Sequence, residues 1–334
     1  MPKRIRPLFW LVLGALLLAL APADGARAQK ISLIRDAEIE NTIRVWAAPL
    51  FEAAGLPAED IGTHLVNDTR LNAFVAGGMN LFINTGLLQR AAHAGQVIGV
   101  IAHETGHISG GHLARTREEL EKATIQQILS MVLAGAAVLA TGEGGAGAGA
   151  AIGGMEAAKR TFLNYSRTQE SAADQAAFRL LDRLGYSARG LMEFLAILID
   201  QELLLPRNQD PYLRSHPVTR ERIDTVREYL AKSRHADAPF PPEYAIMHAR
   251  MVAKLDGFLN PPGNTLARYR ADDQSVPARY ARAFAFYRRP DLAQAIPAID
   301  SLITEFPQDP FFHELKGQML FENGRAQEAV APYS

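Results

Sequence analysis

The chain has 334 residues, 48% of them apolar, and a formal net charge of −1 at pH 7. With that near-neutral balance, nothing in the composition suggests a nucleic-acid partner. It contains no cysteine, which excludes disulfides, cysteine-based zinc sites and a lipid-modified N-terminal cysteine.

The first 28 residues read as a secretory leader. Lys3, Arg4 and Arg6 form a positive start, Leu8 to Leu20 an apolar core, and Ala26-Arg27-Ala28 a cleavage signal, so the mature chain is expected to begin at Gln29. The apolar core is short beside the ~20 residues a membrane span needs. A periplasmic location in a bacterium fits this leader and the lack of cysteine. Two domains are expected after it, one over 29–236 and one over 244–334, joined by a proline-rich linker at 237–243.

The first domain reads as mainly helical with one small sheet. Thr42–Phe51 begins a helix-rich region, and strand signals cluster near residues 63–84. Met79-Asn80-Leu81-Phe82-Ile83-Asn84 reads as a short strand bounded by Gly77-Gly78 and Gly86. Gln96–Ala102 is an apolar run with a buried character. Arg115–Lys122 reads as a charged helix, and Phe178–Leu184, Leu191–Leu205 and Val218–Leu230 as amphipathic ones. Ile128–Thr141 is nearly all apolar and is followed by a glycine- and alanine-rich stretch to Gly154, too glycine-rich to extend as one stable helix. Over 128–154 a lid or membrane-surface loop that meets apolar substrate stands against a buried hairpin or a partly disordered loop.

The apolar run leads into His103-Glu104-Thr105-Gly106-His107, and Gly110-Gly111 supplies a helix stop after it. Residues four apart on a helix share a face, so His103 and His107 can close on one Zn²⁺. Glu104 then stands where it can reach a metal-bound water, the general-base position of a metal-assisted hydrolase. The third ligand decides the class. His112 falls one residue early for the extended histidine motif, whose last position is here Leu113, so its ring is expected to point elsewhere. Glu170 is the better candidate. Asp174 lies four residues on along the same helix face, where it can accept the free N–H of a zinc histidine. A solvated acidic helix face is the alternative reading of this pair.

Past the linker the sequence repeats. Ala283 and Gly317, Tyr287 and Phe321, Leu292 and Ala326, and Ala295 and Ala329 are each 34 residues apart. Small residues and aromatics at this period are the signature of tetratricopeptide (TPR) repeats. Because such a repeat needs a stacked neighbour or cap, the solenoid is expected to continue past Ser334.

Four segments in order now carry a resemblance: Asn72–Gly78 running into Phe82–Leu88, the His103–His107 motif, Arg167–Asp174, and Ser215-His216-Pro217 with Arg222-Ile223. The chain resembles the zinc metallopeptidases of the HtpX and CAAX-prenyl-protease type, metallopeptidase family 48, and within it the periplasmic BepA-like branch that carries C-terminal TPR repeats. The resemblance implies a gluzincin-type peptidase domain followed by an α-helical TPR solenoid. It implies one Zn²⁺ held by His103, His107 and Glu170, water activation by Glu104, and support from Asp174. His216 would stand close to the metal, either stabilising the tetrahedral intermediate or plugging the open position as a fourth ligand. The segment Gly78-Met79-Asn80-Leu81-Phe82 resembles the family's edge strand, on which an extended substrate adds as a strand.

The function implied is an endopeptidase for misfolded or misassembled envelope proteins. A latent peptidase, plugged by His216 and acting mainly as a TPR-based assembly factor, is the alternative. Expected partners are unfolded protein substrates, a protein in the TPR groove with the outer-membrane β-barrel assembly machinery as first candidate, and a peripheral membrane contact. An integral-membrane protease of the CAAX type is disfavoured by the lack of long apolar spans.

Overall fold

The computed structural model describes residues 32–141, 144–199 and 209–334. The expected leader, 1–28, lies outside the described residues, as does the end of the helix expected over Leu191–Leu205.

Helix α1 (Ala37–Ala53) starts where the Asp36 side chain accepts a hydrogen bond from the Ile39 N–H at 2.9 Å. Its apolar residues recur every three or four positions, so Ile39, Ile43, Trp46, Ala47 and Leu50 all face the core. Beside it lies a four-stranded sheet of β1 (Leu33–Ile34), β2 (Gly62–Val66), β3 (Ala73–Ala76) and β4 (Asn80–Asn84), in the order β1-β2-β4-β3. Gly77 and Gly78, with φ of +58° and +92°, make the turn between β3 and β4.

This order corrects the expected substrate edge. Strand β4 pairs in parallel with β2 on one side and antiparallel with β3 on the other, so it is an inner strand. Gly78 lies in the turn, and the backbone of Asn80, Leu81 and Phe82 is engaged in the sheet. The reason is packing. Leu81 and Ile83 are fully buried, and the middle of the sheet is where two apolar residues on one face gain most cover. Among the described residues, β3 is the unpaired edge on the β4 side of the sheet.

Helices α2 (Thr85–Arg90) and α3 (Ala94–Ser109) follow the sheet, and α3 is buried along almost its whole length. Then come α4 (His112–Thr141), α5 (Gly144–Arg183), α6 (Arg189–Ile199), α7 (Pro211–Ser215) and α8 (Arg220–Lys232). The glycine-rich stretch from residue 144 is helical, contrary to the sequence expectation. Glycine costs about 1 kcal/mol of helix propensity per residue, and this stretch continues the long helix α5, which runs alongside α4.

The stretch at 237–243, expected as a proline-rich linker, packs against the first core through Phe240. The Phe240 ring stands 4.9 Å from that of Tyr186, and α9 (Pro242–Leu259) begins at once, burying Tyr244, Met251 and Leu255 in the same core as α1 and α3. After the short α10 (Pro262–Arg268) come two helical hairpins, α11 (Val276–Arg288) with α12 (Leu292–Glu305) and α13 (Pro310–Glu322) with α14 (Ala326–Tyr333), and residues of α11, α12 and α13 form a second core. The repeat positions Ala283, Ala295, Gly317 and Ala329 are buried. A Cβ on Gly317 would stand 2.8 Å from the Tyr333 ring, so the small residue sits where two helices touch. A buried polar network joins the two cores: Tyr280 donates to Glu38 at 2.8 Å, and Arg250 pairs with Glu38 at 2.7 Å and with Asp309 at 2.5 Å. Among the described residues, no helix is long and apolar enough to cross a membrane.

Candidate metal centre

The apolar run Val97–Ala102 drives α3 through the middle of the first core, which carries His103 and Glu104 to complete burial. Helix α5 crosses α3 closely. A Cβ on Gly106 would lie 2.8 Å from the Ala173 carbonyl oxygen, so only glycine lets the two backbones approach this far. That approach brings Glu170 and Asp174 of α5 against the histidines.

His103 Nε2 and His107 Nε2 stand 3.0 Å apart, and each lies 3.3 Å from one oxygen of Glu170. Asp174 Oδ1 is 2.8 Å from His103 Nδ1, on the far side of the ring. With Nδ1–H donating to Asp174, the Nε2 lone pair of His103 is turned to the centre. Ligand atoms of His103, His107, Glu170 and His216 all fall within 4.8 Å of one another. His216 stands at the end of α7, stacked on the Tyr212 ring at 4.5 Å. Its Nδ1 is 3.1 Å from Glu170 and 3.4 Å from His103 Nε2, while its Nε2 faces Glu104 at 3.4 Å. The ring therefore lies between the ligand cluster and the Glu104 carboxylate.

Three features fit a bound cation here. Two imidazole nitrogens and a carboxylate face one point inside the protein. Both oxygens of Glu104 are buried without a hydrogen bond, the His216 contact being at ion-pair distance but without hydrogen-bond geometry. A buried carboxylate left in this state wants a proton, a water or a cation. The donor set, two imidazoles and a carboxylate, is also one that suits zinc.

One residue to which the sequence reading gave no role, Arg222, bridges both carboxylates of the site. Arg222 of α8 donates to Asp174 from Nε at 2.7 Å and from Nη2 at 2.9 Å, and its Nη1 lies 2.9 Å from Glu170. Burial alone would raise both carboxyls. At Glu170 the charges of His216 and then Arg222, with the histidine hydrogen bonds, outweigh it and hold the carboxyl well below its ordinary range; at Asp174 the Arg222 charge and the His103 hydrogen bond hold it at about 2. His103 is opposed by burial, yet hydrogen bonds to Asp174 and Glu170 raise it to about 9, whereas burial takes His107 down to about 3. Burial raises Glu104, against the charge of His216. No spacing rule links Arg222 to Glu170. The available signal was its place in the segment that also carries His216.

The site opens into a cavity of about 470 Å³ lined by Phe74 and Val75 of β3, Glu104, His107, Tyr165 and His216, among others. Asn84 N–H donates to Asn72 O at 3.0 Å, and Val75 stands opposite Leu81 in the register. In an antiparallel pair the hydrogen-bonded positions alternate, so the N–H and C=O of Ala73 and Val75 face away from β4. Among the described residues, no strand pairs with that side of β3.

Residues 34–230 match the model of peptidase family M48. The chain belongs to peptidase family M48. Its M48 domain is a metallopeptidase domain. The chain is 26% identical over 261 residues to a protein described as a beta-barrel assembly-enhancing protease in Vibrio cholerae, covering 74% of this chain and 51% of that one. It is 23% identical over 273 residues to the beta-barrel assembly-enhancing protease of Escherichia coli, covering 80% and 55%. A metalloprotease of Escherichia coli, YcaL, is 29% identical over 140 residues, 42% of this chain and 50% of that one. The chain spans about half the length of the beta-barrel assembly-enhancing relatives it matches.

Proposed function

We propose that this M48 chain is a zinc-dependent endopeptidase that hydrolyses unfolded or misassembled envelope proteins. The observation that carries the reading is the convergence of His103, His107 and Glu170 on one buried point beside a Glu104 carboxylate that has no hydrogen bond. Zinc, when bound, would polarise the scissile carbonyl and bring the pKa of a bound water to about 7.

The chain's own groups carry the rest. His103, His107 and Glu170 hold the ion, with Asp174 fixing the His103 ring. Glu104 takes the proton from the attacking water and passes it to the departing amine. The polypeptide adds to the free side of β3, where the groups of Ala73 and Val75 position the bond to be cut. His216 Nε2, beside Glu104, donates to the oxyanion.

A second reading is favoured by the place of the His216 ring, whose Nδ1 is within 3.4 Å of both Glu170 and His103. In that reading His216 is a fourth ligand. The resting enzyme is then latent, and the chain acts mainly as an assembly factor. The change His216→Ala separates the two: cleavage rises if the ring is a plug and falls if it serves the transition state.

The helical hairpins α11–α12 and α13–α14 are read as TPR repeats offering a groove to a protein partner, with the outer-membrane β-barrel assembly machinery as first candidate. The names of the Vibrio cholerae and Escherichia coli relatives support that choice. A peripheral membrane contact is assigned to the α4–α5 hairpin, on the exposure of Ile125, Leu129, Met131, Leu133 and Ile152. The secretory leader and periplasmic location complete the reading. Its test is cleavage of an urea-unfolded outer-membrane barrel protein by the purified chain. Cleavage should stop on treatment with a chelator and return with one equivalent of zinc. A chain that cleaves equally well after complete chelation is not the enzyme proposed.

A further inference from the structure

His112 is the histidine that motif spacing set aside as a ligand. It is nonetheless buried, and its Nδ1 stands 2.9 Å from His107 Nδ1. The two rings meet edge to face, with centroids 4.9 Å apart. Because His107 Nε2 faces His103 and Glu170, the nitrogen that meets His112 is the one left over.

The local sequence is shaped for this contact. Helix α3 ends at Gly110, and Gly111 takes φ +63°, so α4 starts in a new direction with His112 as its first residue. The His112 ring folds back over the turn into the space that a side chain at Gly110 would fill. A Cβ there would come within 2.5 Å of His112 Nε2 and 2.8 Å of its Cδ2. Thr116 donates to the His112 carbonyl at 2.7 Å and steadies the first turn of α4.

From this geometry we infer that His112 is a positioning residue of the metal centre: its Nδ1 accepts the Nδ1–H of His107, locking the tautomer that turns the His107 Nε2 lone pair to the metal. Two nitrogens 2.9 Å apart hold one proton between them. A donor on both would clash, and a donor on neither would leave two facing lone pairs. With the proton on His107, the centre gains a ligand nitrogen that needs no rearrangement. His112 thus does for His107 what Asp174 does for His103, with a neutral acceptor in place of a carboxylate. The inference rests on His103, His107 and Glu170 being the ligands.

The test is zinc affinity, measured by competition with a chromophoric chelator on the whole 334-residue chain. His112→Phe keeps a ring and loses the acceptor. His112→Gln keeps an acceptor. Gly110→Ala leaves His112 in place but drives its ring off His107. His112→Phe and Gly110→Ala should each weaken zinc binding about 10–100-fold, the usual effect of losing such a partner, with His112→Gln binding more tightly than His112→Phe. Thermal unfolding of the zinc-free chains reads folding separately, and where His112→Phe does not fold, Gly110→Ala decides. Zinc affinity within about twofold of the parent in a folded His112→Phe, or in Gly110→Ala, overturns the role of His112 alone. A parent chain that binds no zinc overturns the ligand set and this inference together.

Discussion

Arg222 Nε stands 2.7 Å from Asp174 Oδ2, and the guanidinium that makes this contact also reaches Glu170 at 2.9 Å. One buried cation therefore backs both the carboxylate that would hold metal and the one that orients His103. Without it, two carboxylates would face each other in the core with only histidines to balance them.

Replacing Arg222 with Met should lower stability by about 3–5 kcal/mol, because it removes the one guanidinium from two buried carboxylates and leaves them only histidine partners. Lysine should not restore it, since a single ammonium cannot make the forked contact to two carboxylates. Denaturant unfolding of the zinc-free proteins reads this directly. A loss below about 1 kcal/mol would mean that the carboxylates find another partner.

Acid should weaken the fold through the same pair. Asp174 has a folded value of about 2 against its ordinary 3.8, so its contribution is present above about pH 4 and lost as pH falls through 2. That gap is worth about 2 kcal/mol. Asp174→Asn should remove this part of the acid sensitivity while lowering stability at neutral pH. The check is the urea midpoint of both proteins at pH 6 and pH 3, and equal slopes would remove Asp174 as the cause.

The close crossing of α3 and α5 gives a third outcome. Gly106→Ala places a Cβ 2.8 Å from the Ala173 carbonyl oxygen and 3.0 Å from its Cα, which forces the two helices apart. His103 and His107 then separate from Glu170, and zinc binding should fall by at least about tenfold although no ligand has changed. Competition with a chelator measures it, and unchanged affinity would show that the crossing can relax without moving the ligands.

Strand β3 supplies a fourth. Val75 turns its N–H to the open side of the sheet, so Val75→Pro removes a donor from the proposed substrate edge while sparing the ladder to β4. Cleavage of unfolded protein should fall about tenfold in kcat/KM, mainly through KM, with zinc content unchanged. An unaltered KM would move the substrate off this edge.

What the sequence made legible is what is local or carried by a motif. His103, Glu104 and His107 share one helix turn, and their common face follows from the helical period alone. Glu170 and Asp174 could be chosen on spacing, but their meeting with the histidines depends on Gly106 facing Ala173, a contact between distant parts of the chain. Strand β4 was legible as a strand and misplaced as an edge, because its pairing with β2 is a long-range parallel contact that local pattern does not carry. Arg222 and His112 went without roles for a related reason. Arg222 acts across a helix contact, and His112 works through a turn whose direction is set by two glycines. The helix from Gly144 was missed because glycine propensity weighed against it, whereas the stretch is the first part of one long helix.

The most direct measurement is zinc content together with casein cleavage for the parent chain and Glu104→Gln. One zinc in each, with cleavage abolished only in the variant, is the expected result, since Glu104 is placed to move the proton and not to hold the ion. Cleavage that continues undiminished in Glu104→Gln would contradict the account at its centre.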